Sequence, residues 1–173
     1  MASRKYIQQL ANSLIEENPR LPIAIDKIIK NQGLKLVPYD HKDGISGILM
    51  IEQNSATIGY ASNESPQRQR FTKAHELGHF MLHRGGNLFI DKDFKTMYRP
   101  ASSNAPSTEW QEWEANEFAA CILMPEHLVK EEMKKIQIDY ADDSETSWIE
   151  QLAKKFKVSV SAMSIRISRL GLQ

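Results

Sequence analysis

The sequence predicts an α+β fold: a small antiparallel sheet packed on one buried helix, with further helices around it. Three observations predict it. Short β-prone runs follow one another within residues 34–61, separated by turn chemistry. The stretch after them, around residues 71–82, is apolar nearly all round, as a helix inside a fold is. Elsewhere apolar residues recur at helical spacing.

Taken in order, Tyr6, Leu10 and Leu14 predict a first helix with those residues on one face, closed by Pro19. Pro22 opens a second, short helix with Ile25, Ile28 and Ile29 facing the core and Gly33 as its stop. Strands are expected over Leu34 to Tyr39, Ile45 to Ile51 and Ala56 to Ala61, with Asp43-Gly44 and Asn54-Ser55 in the turns. Ser65 then caps a third helix with Pro66 at its first position, running to about His83, where Gly85-Gly86 ends it. The polar stretch Asn87 to Ser107 reads as a long loop, and loops of that length in a compact domain are usually functional or mobile. Helices follow over Thr108 to Leu123 and Pro125 to Lys135, then a linker from Ile136 to Asp143. From Ser144 two further helices, broken near Val158-Ser159, form a helix-turn-helix-like tail. The chain thus divides into a main domain, 1–143, and a helical appendage, 144–173.

The 173 residues suffice for one well-packed domain with a small addition. Charges balance at 22 basic and 22 acidic, so nothing global points to nucleic acid or an acidic membrane. Cys121 is the only cysteine, which excludes an intramolecular disulfide. The polar start, Met1 to Tyr6, leads into no long apolar run. Neither a secretory signal nor a membrane span is expected, and the expected compartment is the cytoplasm.

His75-Glu76-Leu77-Gly78-His79 carries the chemistry. Histidines four residues apart lie one turn apart on one helix face, where two imidazoles can converge on a tetrahedral zinc. Glu76 lies about 100° round the helix from His75. From there a carboxylate can act as general base on a water activated at the ion without itself ligating. Chance supplies this pattern in roughly one chain in a few hundred of this length. Two histidines on a buried helix also need partners, and a metal serves both.

A catalytic zinc takes a third protein ligand and keeps a position open. On the helix from Thr108, residues Glu112, Ala115, Asn116, Ala119 and Leu123 share one stripe. Its alanines permit close approach to the first helix, which brings Glu112 to the metal and lets Asn116 hydrogen-bond a ligand from behind. Glu114 points about 160° away from Glu112, so both cannot ligate. The competing reading of Glu112 is a solvated surface carboxylate.

These motifs, with His83 after them, Glu112-x-x-Ala115-Asn116-x-Phe118-Ala119 and Leu123-Met124-Pro125, closely resemble the ImmA/IrrE family of metallopeptidases. Ile45-Ser46-Gly47, Arg70-Phe71-Thr72 and the tail from Leu152-Ala153 through Phe156-x-Val158-Ser159 to Arg169-Leu170-Gly171-Leu172 extend the resemblance over most of the chain from Leu21. Cys121-Ile122 departs from the residues commoner there. The resemblance implies a gluzincin-like endopeptidase with His75, His79 and Glu112 as ligands and Glu76 as base. It also implies a helix-turn-helix transcriptional repressor as substrate, cut to derepress its target genes. Zinc is the expected ion, with manganese or another divalent metal as alternatives.

Other residues have plainer readings. His83 suits a position behind the ligands better than a fourth ligand, because the open position must survive. Cys121 reads as a buried structural thiol, and His41 and His127 as surface or capping residues. Tyr98 and Arg99, in the long loop, are candidates for stabilising the transition state. In the tail, Val160, Met163, Ile167 and Leu170 form an apolar stripe, and five basic residues face two acidic ones. DNA contact through it is conceivable, but packing or substrate recognition is favoured, since the charge is modest and aromatics are few. The alternative to an enzyme is a regulator that uses zinc for structure and binds a repressor or DNA through this tail.

Overall fold

The computed structural model describes residues 2–17, 19–40, 45–53, 55–83, 88–91, 107–138 and 147–172. In chain order the elements are α1 (Arg4–Ser13), α2 (Ile25–Asn31), β1 (Leu34–Tyr39), β2 (Gly47–Ile51), β3 (Ala56–Ala61), α3 (Pro66–Leu82), β4 (Leu88–Asp91), α4 (Ser107–Leu123), α5 (Glu126–Ile138), α6 (Trp148–Phe156) and α7 (Val160–Arg169). The α+β class stands, and the helix starts follow local chemistry. Ser3, Ser65 and Ser159 each accept from the backbone N–H three residues on, at Tyr6, Arg68 and Ala162. Such a cap contributes about 1 kcal/mol. Gly33, at φ +79°, makes the left-handed turn from α2 into β1 that a side chain would resist.

The strands form one sheet in the order β1-β3-β2-β4. β2 runs antiparallel to β3 and to β4, while β1 runs parallel to β3, Leu34 opposite Ala56. The sheet is therefore mixed rather than purely antiparallel. The chain leaves β1, crosses past the place β3 will take, and returns through the β2–β3 hairpin. β4 occupies the start of the stretch read as loop.

Leu49 and Ile58, both fully buried, point from the sheet into a core that includes Leu77 of α3 and Phe118 and Ile122 of α4. Each such side chain contributes about 1.5–3 kcal/mol when fully buried. α3 thus lies between the sheet and α4, which explains why every residue from Thr72 to His79 is buried. Lys73 survives there because its ammonium reaches Asp26 of α2 at 3.0 Å and lies over the Tyr60 ring.

Several expectations shift in detail. α1 buries Ile7 and Ala11, and Tyr6 is 52% exposed; the period was legible but the buried face is one residue round, because small Ala11 lets α1 close on its neighbours. α5 continues through Ile138, beyond the expected linker start. In the tail Val160 is exposed, whereas Met163 and Ile167 join the same core as Leu152, Ala153 and Phe156 of α6. Arg166 is buried and donates from Nε to the Met124 carbonyl at 3.0 Å. Arg169 bonds Glu117 at 2.6 Å, and Lys155 bonds Glu132. Three of the five tail cations are thus engaged within the chain. The Asp43-Gly44 turn, Asn54, His41 and Gly85-Gly86 lie outside the described residues. Among the described residues no helix is long and apolar enough to cross a membrane.

Candidate metal centre

Gly78 sets how closely the two site-bearing helices meet. A Cβ on it would come within 3.0 Å of the Ala115 Cα and 3.1 Å of the Ala115 carbonyl oxygen. Glycine against alanine therefore lets α3 and α4 touch nearly backbone to backbone. With the helices this close, Glu112 reaches across from α4 to the histidines of α3.

His75 Nε2 and His79 Nε2 lie 2.9 Å apart. The Glu112 carboxylate completes the cluster, Oε2 at 3.1 Å from His75 Nε2 and Oε1 at 3.2 Å from His79 Nε2. Both histidines are buried, and Glu112 is half-exposed, so the cluster has one face toward solvent. Among the described residues these three form the group able to hold a metal ion.

The donor set fits a divalent ion. Ligand atoms about 2.0–2.1 Å from a tetrahedral zinc stand roughly 3.3 Å from one another, close to the spacings here. On the far side of the ring, His75 Nδ1 lies 2.9 Å from Asn116 Oδ1. An amide oxygen accepts, so His75 carries its proton on Nδ1 and turns the Nε2 lone pair toward the cluster. Burial holds His79 well below the ordinary histidine range, to about 4, despite the pull of Glu112. It is neutral at pH 7, as a ligand must be. Burial alone would raise the Glu112 carboxyl, but the His75 and His79 rings beside it more than reverse this, and it stays ionised. Two imidazoles and a carboxylate converging on one point are the chemistry of a cation site.

Glu76 is fully buried one residue along from His75. Its carboxylate lies against the start of β2, where a Cβ on Gly47 would come within 2.4 Å of Glu76 Oε1 and 2.6 Å of Thr72 Cγ2. The backbone there is held by its neighbour: Ser46 Oγ donates to Glu64 at 2.7 Å and accepts from Arg68 at 3.2 Å. This slot was quoted in the sequence as Ile45-Ser46-Gly47, but its physical role appears only once β2 and α3 are seen together.

His83 does not join the donor cluster. Its Nδ1 lies 3.1 Å from His79 Nδ1 and its Nε2 2.8 Å from Glu114 Oε2. Glu114, set aside because it points away from Glu112, is buried and belongs to this arrangement. Its other oxygen accepts from the backbone N–H of Ala2. Helical-wheel reasoning correctly separated it from Glu112, but only the tertiary structure brings His83 to it. Cys121 is buried beside Glu117, and burial pushes its thiol up. His127 is exposed. Tyr98 and Arg99 lie outside the described residues.

A helix carrying two histidines with an intervening glutamate, joined by a carboxylate from a second helix beside a small sheet, defines a metallopeptidase class of site. The family match agrees: residues 29–168 fit the model of Peptidase_M78, the IrrE N-terminal-like domain, and the chain belongs to that family. No curated protein matches the chain significantly.

Proposed function

We propose that the protein is a zinc-dependent endopeptidase that hydrolyses one specific peptide bond in a partner protein, with Glu76 as general base. The observation that carries this reading is a fully buried glutamate beside a three-donor cation cluster, its carboxylate seated in a slot that only glycine leaves open. His75, His79 and Glu112 would hold the ion. When bound, the ion supplies Lewis acidity, polarising the scissile carbonyl and acidifying a water. Glu76 takes a proton from that water as its oxygen bonds the carbonyl carbon, then delivers the proton to the amine as the C–N bond breaks. Asn116 holds the His75 ring through Nδ1. The half-exposed side of Glu112 leaves a face for an extended peptide.

The substrate class, a helix-turn-helix repressor met in the cytoplasm, rests on the ImmA/IrrE resemblance. The choice of zinc over manganese rests on the histidine-rich donor set. A regulator acting on DNA through its tail would need that region's cations free, and Lys155, Arg166 and Arg169 are engaged within the chain.

Co-expression with a candidate helix-turn-helix repressor, scored for cleavage, tests the proposal. Wild type should yield two repressor fragments, and Glu76→Gln should bind zinc yet cleave about 10²–10⁴-fold more slowly. Glu76→Gln cleaving at the wild-type rate would remove Glu76 as base. An intact repressor that is nevertheless inactivated would favour the non-catalytic regulator.

A further inference from the structure

Behind the donor cluster, the ring of His79 is held by a second histidine, which is held in turn by a buried carboxylate. The distances are 3.1 Å from His79 Nδ1 to His83 Nδ1 and 2.8 Å from His83 Nε2 to Glu114 Oε2. All three residues are at least nine-tenths buried. Glu114 is fixed from its other side by the Ala2 N–H, so it does not swing freely toward solvent.

A carboxylate oxygen accepts, so His83 donates its Nε2 proton to Glu114 and keeps a lone pair on Nδ1. That lone pair accepts the proton on His79 Nδ1. The His79 Nε2 lone pair then has one direction left, toward Nε2 of His75 and the Glu112 carboxylate. Metal-binding histidines commonly use a carboxylate or carbonyl in this way, contacting the ring directly. Here the span between α3 and Glu114 is bridged by an extra imidazole one helical turn beyond His79.

We propose that His83 and Glu114 are positioning residues that fix the His79 tautomer and thereby set the affinity of the site for its metal. The inference rests on the metal-centre reading of His75, His79 and Glu112 but not on peptide hydrolysis. A protein that bound zinc through this relay and cut nothing would leave it standing.

The test separates a relay from a buried pair that serves packing alone. Glu114→Gln keeps an oxygen that can accept from His83 Nε2, whereas Glu114→Leu keeps the bulk and removes the acceptor. Zinc affinity is measured by chelator competition on the full chain, with circular dichroism as the fold control. Glu114→Leu and His83→Leu should each weaken zinc binding by about 10–100-fold. Glu114→Gln should stay within about threefold of wild type, since it restores the hydrogen bond. A folded Glu114→Leu protein with wild-type zinc affinity overturns the proposal, as does a Gln variant as weak as Leu. Should the Leu variants fail to fold, long-range ¹H–¹⁵N spectra of the wild-type histidines decide. His79 protonated on Nδ1 and His83 on Nε2 support the relay; a proton on His79 Nε2, or on both nitrogens of His83, overturns it.

Discussion

Gly47 and Glu76 occupy complementary space: a single added methyl on Gly47 would stand 2.4 Å from the Glu76 carboxylate oxygen. The neighbouring Thr72 methyl, at 2.6 Å, is buried and branched, so it cannot move aside. The carboxylate is the part that must yield. Gly47→Ala should therefore displace the Glu76 carboxylate by a fraction of its own length while His75, His79 and Glu112 stay in place. A displacement of about 1 Å can cost 10²-fold in rate. We expect peptidase activity to fall by about that factor with metal stoichiometry unchanged. Full activity in Gly47→Ala would show that the slot does not position Glu76.

Gly78→Ala pits two effects against each other. Alanine in a helix interior is favoured over glycine by about 1 kcal/mol. The new Cβ, however, meets backbone atoms of Ala115 at 3.0 and 3.1 Å and the Phe118 ring at 3.2 Å. Backbone on a packed helix cannot rotate away, and overpacking costs about 1–3 kcal/mol. The two helices must part slightly, which withdraws Glu112 from the histidines. Urea denaturation should show net destabilisation, and chelator competition a weaker metal site. A stabilised variant with unchanged zinc affinity would mean that α3 and α4 have slack.

The legible parts of this molecule were those written in local periods. His75 and His79 declare themselves because their spacing is one helical turn. Ser65 and Gly33 mark helix ends with side-chain and backbone chemistry of their own. Glu112 needed one more step, the small-residue stripe through Ala115 and Ala119 that permits close packing. Glu114 was not legible, since its partner His83 comes from another helix and neither residue's spacing refers to the other. The parallel β1–β3 pairing was hidden for the same reason, because a crossover leaves no local mark. β4 was missed inside a stretch whose polarity resembles loop.

Glu117 should be worth more than an ordinary helix glutamate. It is buried, bonds Arg169 at 2.6 Å and lies 3.8 Å from the buried Arg166. Glu117→Ala leaves the Arg166 guanidinium in the interior with the Met124 carbonyl as a remaining partner. Stranding one member of a buried ion pair costs about 3–5 kcal/mol. Equilibrium urea denaturation should register a loss near the lower figure, because that carbonyl stays. A change below about 1 kcal/mol would imply that α7 holds to α4 by its apolar residues alone.

Acid should destabilise the metal-free protein, beginning above the ordinary carboxylate range. His79, facing His75, His83 and Glu112, falls from 6.5 to about 4 on folding, chiefly through burial. Between those values the unfolded chain binds a proton that the folded chain does not, so stability decreases as pH is lowered through that window. Glu112, depressed from 4.5, acts in the same direction below that value. Chelator-treated protein should thus lose stability from about pH 6.5 downward. A His79→Gln variant should show a flatter profile between pH 6.5 and 4. Equal slopes in the two proteins would place the titrating group elsewhere.

Metal dependence of stability can be separated from the integrity of the core by choosing the ligand that the core does not need. His75 and His79 are buried, so truncating either one opens space inside the fold; Glu112 is half-exposed and leaves little behind when shortened. An ion that binds only the folded state stabilises it by about 4 kcal/mol at a thousand times its dissociation constant. Wild type should therefore melt at a distinctly higher temperature with excess zinc than after chelation. Glu112→Ala should lose most of that difference, because two imidazoles hold the ion more weakly than three donors do. Its chelated form should melt close to chelated wild type, since the half-exposed side chain leaves little space behind. A Glu112→Ala protein with the full zinc-induced rise would remove Glu112 from the ligand set and leave the two histidines to find their third donor outside the described residues.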